Sequence, residues 1–196
     1  MIRESNPATV RIRLWLVALA AMLALAGMAA SVTQTKTSTG VIENFGKVND
    51  NYYRGSQPDA NGFAELKRLG IKTVIDLRKD SVREAPEWAR AAGMEYFNIP
   101  LKASTPATEE QTEYFLKLVN DPNNWPVYVH CKGGRHRTGA LTGIYRITHD
   151  GWTADQVYKE MKEYDFEHGF FGGPTAQKKY VYSFYERHSS NGGGRR

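Results

Sequence analysis

The run His130-Cys131-Lys132-Gly133-Gly134-Arg135-His136-Arg137-Thr138 constrains this chain more than any other stretch. It holds the only cysteine of the 196 residues. Pro126-Val127-Tyr128-Val129 before it reads as a short buried strand. Thr138-Gly139-Ala140-Leu141-Thr142-Gly143-Ile144-Tyr145 after it reads as the start of a helix. A lone thiol is thus placed where a strand ends and a glycine-containing loop turns into a helix. A fold that accepts this needs a sheet with helices packed beside it.

The length suits one domain of ordinary size with its own core. A content of 41% hydrophobic and 24% charged residues is that of a globular protein. The start of the chain is different. Arg11 and Arg13 precede an uncharged apolar run, Leu14 to Ala26, which continues to Ala30 and ends on small residues. With Gly27-Met28-Ala29 or Ala29-Ala30-Ser31 as a cleavage site, residues 1–30 have the layout of a secretory signal peptide. The alternative is an uncleaved membrane anchor, since about 17 apolar residues sit at the lower limit for spanning a bilayer. Either way the remainder is expected outside the cytoplasm: periplasmic, secreted or membrane-anchored. Arg3, Arg11 and Arg13 against Glu4 leave +3 of the formal +5 charge for that remainder. This balance is too mild and too mixed in sign for nucleic-acid binding, though it suits an anionic substrate. One cysteine excludes an intramolecular disulfide.

Residues 31–40 are hydroxyl-rich and read as a linker, and residues 41–188 as the folded domain. Asn44 to Val48 and Tyr52 to Ser56 look like two short strands around the turn Asn49-Asp50-Asn51. A short helix carries Phe63, Leu66 and Leu69 and stops at Gly70. Thr73-Val74-Ile75-Asp76-Leu77 is a central strand candidate. Ser81-x-x-Glu84 fits a capping box for a helix ending at Gly93, and Met94 to Ile99 is the next strand. Pro100 to Pro106 reads as loop, and Thr108 caps a helix with Phe115, Leu116 and Val119 inside. Beyond the cysteine, helices are expected over about 138–149, around Val157, Met161 and Tyr164, and over 175–188, with an irregular loop at 169–174 and a flexible tail at 189–196. Strands alternating with helices argue for a single α/β domain with a central, mostly parallel sheet flanked by helices.

Several donors converge on the cysteine turn. Lys132 to Arg137 offer consecutive backbone N–H groups, and Gly133 and Gly134 let the backbone curl inward. The following helix adds the positive end of its dipole. Arg137 can grip two phosphate oxygens at once. These donors also favour the Cys131 thiolate, which Thr138 can steady with its hydroxyl. The chemistry expected is two in-line displacements through a cysteinyl-phosphate, with no metal and no cofactor. His130 reads as a hydrogen-bonding support for the loop rather than a base.

His130-Cys131-x5-Arg137-Thr138 resembles the signature of the cysteine-dependent protein tyrosine phosphatase superfamily. With Tyr53-Arg54-Gly55-Ser56-Gln57-Pro58 and Val74-Ile75-Asp76-Leu77-Arg78, the layout is similar to its compact dual-specificity branch, over roughly residues 41–188. The resemblance implies Cys131 as nucleophile, Arg137 as phosphate clamp and a phosphorylated protein or small molecule as partner. Gly-Arg-His-Arg also resembles the Gly-Lys-His-Arg of an atypical plant and fungal branch acting on inositol pyrophosphates. Lys132, Arg135 and His136 would then meet a substrate with more than one phosphate.

The family usually places a general-acid aspartate some 25 to 40 residues before the cysteine. That window here holds Pro100 to Pro106, with no carboxylate and with Ser104 where Asp is usual. Glu109 and Glu110 are the nearest acids but suit the first turn of a helix, and Asp76 lies in a strand. The acid is therefore unassigned, and its lack would favour aryl phosphates or phosphoanhydrides. Protein phosphotyrosine is the leading substrate and inositol phosphates or pyrophosphates the second. Two other readings use the same residues: a rhodanese-like sulfurtransferase, against which Arg137 and Thr138 speak, and a pseudophosphatase that binds phosphorylated ligands without turnover. Oligomeric state is left open.

Overall fold

Strand β5 (Val127–His130) is buried at every position, which is why its sequence is a run and not an alternation. It lies at the centre of one sheet ordered β1-β2-β5-β3-β4. The other strands are β1 (Gly46–Asn49), β2 (Tyr52–Gly55), β3 (Thr73–Arg78) and β4 (Glu95–Leu101). Only β1 against β2 is antiparallel; β5 runs parallel to β2 and β3, and β3 parallel to β4. His130 is level with Gly55 and Asp76, so β2 and β5 end together where Cys131 begins, while β3 runs two residues further to Arg78. The computed structural model describes residues 40–167 and 173–192, all within the compact unit Gln34–Arg196. The export segment, residues 31–39 of the linker, loop residues 168–172 and the last four residues lie outside the described residues. Among the described residues no helix is long and apolar enough to cross a membrane.

Helices α1 (Ala60–Arg68) and α2 (Ala85–Ala91) cover one face of the sheet. Phe63, Leu66, Ala85 and Ala89 pack there with Val74, Met94 and Tyr128. The other face takes α3 (Glu109–Asn120), α4 (His136–Tyr145), α5 (Ala154–Glu163) and α6 (Gly173–Gly192). Phe115, Leu141, Ile144, Val157 and Val181 meet Ile75, Val127 and Val129 there. Val74 and Ile75 thus point to opposite cores, as the two-residue period of a strand requires. Each fully buried Phe or Leu contributes about 1.5–3 kcal/mol of burial energy.

Four boundaries differ from the sequence reading. β4 runs through Pro100 to Leu101, where a loop was expected; a proline is tolerated because β4 is an edge strand. The capping box at Ser81 does not form: Glu84 precedes α2 with no side-chain cap. Ser81 instead donates to the Arg78 carbonyl at 2.9 Å and accepts from Asn98, which ties it to the end of β3. Helix α4 begins at His136, two residues before Thr138, and ends in a π-helical turn at Arg146–Asp150. Helix α6 continues past the expected tail boundary to Gly192, with Ser190 donating to the Glu186 carbonyl. The expected cap at Thr108 does form, as a box with Gln111.

Candidate active site

The loop between β5 and α4 is held from below by the N-terminal hairpin. The Gln57 N–H donates to the Lys132 carbonyl at 3.1 Å. Asn44 Nδ2 donates to the Gly133 carbonyl at 3.0 Å, and Arg54 Nη2 to the Gly134 carbonyl at 3.0 Å. Three successive carbonyls thus bond to the hairpin. That arrangement turns the peptide N–H groups toward the cysteine side, as an anion-binding nest requires. Gly134 has φ +67°, and a Cβ on it would lie 2.5 Å from the Gly55 carbonyl carbon and oxygen, so only glycine fits. Gly133 is different: a Cβ there would meet only the Arg135 side chain at 3.6 Å or more. The inward curl expected of both glycines is needed at one.

Cys131 is buried at 3% exposure. Burial pushes its thiol up, but the Thr138 hydroxyl and N–H, the Arg137 charge and the Gly134 N–H outweigh it, and the net pKa lies below 9.0. Thr138 is fully buried, and its hydroxyl is among the groups that lower the pKa of the Cys131 thiol. Arg137 and Thr138 sit in the first turn of α4, whose dipole adds to them. Arg137 is 7% exposed and donates to the Leu101 carbonyl at 3.0 Å, which fixes its guanidinium at the end of β4. His130 is fully buried, and that burial holds its pKa down and the ring neutral; its Nδ1 lies 3.3 Å from the Cys131 carbonyl. It supports the loop, as the sequence suggested. Asp76 is structural: it accepts from the Arg78 N–H at 2.8 Å and from Tyr96 at 2.7 Å.

The three cationic candidates of the loop part ways. Lys132 is exposed. Arg135 is half-buried, with its stem over Gly133 and its Nε shielded. His136 turns toward the segment after α5, with Nε2 2.9 Å from the Phe166 carbonyl and its ring edge-on to Phe166.

Ser104 is exposed in the loop after β4, and Glu109 lines a groove between α3 and α6 with Tyr180 and Phe184. Glu110 is an exposed first-turn residue of α3. The carboxylate that reaches the site is one the sequence did not single out. Asp80 lies 3.0 Å from Arg78 Nη2 and 3.8 Å from Arg137 Nη1, with its side chain 71% exposed. The hydrogen bond from Arg78, with help from its own backbone and the Arg137 charge, holds its pKa below the usual carboxylate range. Asn44, Arg54, Gln57 and Arg78 were also missed as site residues. The available signal was a charge inside each apolar strand, Arg54 and Arg78, since a buried charge must have partners.

A protein-family model described as DSP-PTPase phosphatase fused to NAD+ kinase matches residues 25–180. The chain is 32% identical over 129 residues to the dual specificity protein phosphatase TpbA of Pseudomonas aeruginosa, covering 66% of this chain and 56% of that protein. It is 30% identical over 126 residues to the inositol diphosphatase DSP1 of Oryza sativa subsp. japonica, covering 62% and 56%. The chain thus spans little more than half the length of either relative. The crystal structure of P. aeruginosa TpbA superposes with a TM-score of 0.65 at 26% identity, covering 81% of this chain and 98% of that one. The fold, the cysteine loop and these matches converge, and the chain belongs to the dual-specificity-like branch of the cysteine-dependent protein tyrosine phosphatase family.

Proposed function

We propose that this chain is a cysteine-based phosphatase in which Cys131 is the nucleophile, Arg137 the phosphate clamp and Thr138 the partner of the thiolate. The observation that carries the reading is a buried thiol, made more acidic than usual, beside a loop whose three carbonyls bond away from it. Sγ attacks phosphorus in line, the P–O bond to the leaving group breaks, and that oxygen takes a proton from solvent. Water then attacks phosphorus, giving up a proton to solvent, and breaks the P–S bond, returning a thiolate that Thr138 and Arg137 stabilise. The loop amides from Lys132 to Arg137 hold the phosphoryl oxygens through both steps. No carboxylate stands at Pro100 to Pro106, which favours leaving groups that need little protonation. An aryl ester such as protein phosphotyrosine is therefore the leading substrate.

The second reading is an inositol phosphate or pyrophosphate phosphatase. It draws on exposed Lys132 and half-buried Arg135 beside the loop, and on the relative named inositol diphosphatase. We further propose export from the cytoplasm, on the apolar run of residues 14–30 behind Arg11 and Arg13. The intact mass of the protein recovered from the periplasm or medium tests this; the full-length mass in the cytosolic fraction would overturn it.

Aryl-phosphate hydrolysis by the purified domain tests the reaction. Turnover that survives EDTA, is blocked by vanadate and vanishes in Cys131→Ser is expected. Tight phosphate binding with no turnover from acid to neutral pH would favour the pseudophosphatase, and sulfur transfer from thiosulfate to cyanide the sulfurtransferase. Rates for phosphotyrosine peptides against inositol pyrophosphates then rank the two substrate classes.

A further inference from the structure

The loop is most free to rotate its peptides at Gly133 and Gly134, where no side chain restrains φ and ψ. Those are the two carbonyls gripped by side chains rather than by backbone. Asn44 Nδ2 reaches the Gly133 carbonyl at 3.0 Å and also the Tyr164 carbonyl at 3.1 Å. Asn44 itself sits at φ +55°, a conformation asparagine tolerates better than most residues. Arg54 is fully buried, and its Nη2 reaches the Gly134 carbonyl. Its guanidinium stacks 3.8 Å from the Tyr164 ring centre, and its Nη1 lies 3.6 Å from Glu160 Oε2. Glu160 is 4% exposed and also accepts from Arg146, at 3.2 Å from Nε and 3.1 Å from Nη2. Arg146 in turn pairs with Asp150 and stacks on Trp152 at 4.4 Å. A buried ion pair is costly and is weak evidence of stabilisation by itself. This one ends on the Gly134 carbonyl of the phosphate loop.

We infer that Asn44 and Arg54 are positioning residues that keep the Gly133 and Gly134 carbonyls turned outward, and that Glu160 holds Arg54 in place for the second of them. A carbonyl that flipped inward would replace an N–H donor with an acceptor beside the thiolate and the phosphoryl oxygens. The loop would then repel the charge it exists to hold. This role presupposes that Cys131 is the nucleophile.

The test compares wild type with Asn44→Gly, Arg54→Met, Arg54→Lys and Glu160→Gln. Glycine suits the backbone at position 44, and in Arg54→Met the Glu160 carboxylate keeps Arg146. Three quantities are read: kcat and KM for an aryl phosphate, vanadate inhibition, and the pH profile of Cys131 alkylation by iodoacetamide. Melting temperature reports folding. The charged and titratable groups around the sulfur, Arg137 from α4 and His130 and Tyr128 from β5, stay unchanged in every variant.

In folded Arg54→Met, kcat is expected to fall about 100-fold, the scale of a small misplacement of catalytic groups. Its alkylation midpoint moves up by about one pH unit, since donors to the thiolate are lost. Asn44→Gly shows the same signs to a smaller degree, and Arg54→Lys recovers part of the loss. Glu160→Gln raises KM and weakens vanadate less than Arg54→Met does. Folded variants whose kcat and alkylation profile stay within twofold of wild type would overturn the inference, whatever happens to their melting temperatures. If Arg54→Met does not fold, Asn44→Gly and Arg54→Lys decide on the same criteria. A wild-type protein without turnover would count against the phosphatase reading instead.

Discussion

The two sides of the cysteine loop are built differently. Its underside is buried: Arg54 and His130 are fully covered, and the hydrogen bonds from Asn44, Arg54 and Gln57 to the loop all go to backbone carbonyls. Its mouth is open: Lys132, Ser104 and Asp80 are exposed. The underside fixes the thiol, the clamp and the donors, which every phosphate ester needs alike. On the proposed reaction the mouth would meet the leaving group and the rest of the substrate, which differ from ester to ester. Chemistry common to all phosphate esters would then sit where packing permits one arrangement, and substrate choice where side chains are free to change.

The largest effect that can break this comparison lies in the clamp. Arg137→Lys keeps the charge but loses the fork, and kcat/KM for an aryl phosphate is expected to fall by about 10²–10³, measured at fixed pH. Next come the two glycines, which look equivalent in sequence. Gly134→Ala puts a methyl group 2.5 Å from the Gly55 backbone at φ +67°. It should lower stability by about 1–3 kcal/mol in urea melts and cost most of the activity. Gly133→Ala should change either quantity little; equal losses from both would mean that the hairpin does not define the loop.

Thr138→Val comes third. Removal of the hydroxyl should slow turnover about tenfold and move the alkylation midpoint of Cys131 up from its present value below 9.0. Because the folded thiol is more acidic than the unfolded one, its thiolate adds stability at alkaline pH. That contribution is lost as pH falls through the folded pKa, and the loss should be smaller in Thr138→Val. The smallest effect belongs to the mouth. Asp80 competes with phosphate for Arg137, yet it is exposed, and such pairs contribute at most about 1 kcal/mol. Asp80→Asn should lower KM a few-fold and leave kcat for aryl phosphates unchanged. A collapse of kcat confined to alkyl phosphates would instead give Asp80 the role of the acid. Ser104→Asp, assayed on the same pair of leaving groups, sharpens that contrast.

What the sequence discloses follows the same division, for a reason of distance. Strand, loop and helix around Cys131 are contiguous, so burial runs, glycines and the Arg137 offset show them directly. Arg54 and Asn44 meet the loop across 80 and 89 positions; the parallel pairing of β2 with β5 brings Arg54 there, and Asn44 precedes β1, which pairs with β2. Nothing local to Asn44 announces a bond to Gly133. Pro100 misled because a proline reads as a strand breaker until the strand is known to be at an edge. Asp80 was passed over because the acid was sought after β4 and not after β3.

The grip of residues 44–57 on the loop also bears on how the protein matures. Hydrogen bonds closed over 80 and 89 positions form late, since a long stretch of chain must be ordered first. Until then Gly133 and Gly134 lack their donors, α4 lacks a fixed start, and Cys131 is an ordinary thiol, largely protonated at neutral pH. Under the proposed export, a chain crossing an oxidising compartment unfolded would carry its one cysteine in the less reactive form. Nucleophilicity arrives with the last long-range contacts, so the thiol becomes vulnerable only when the protein can use it.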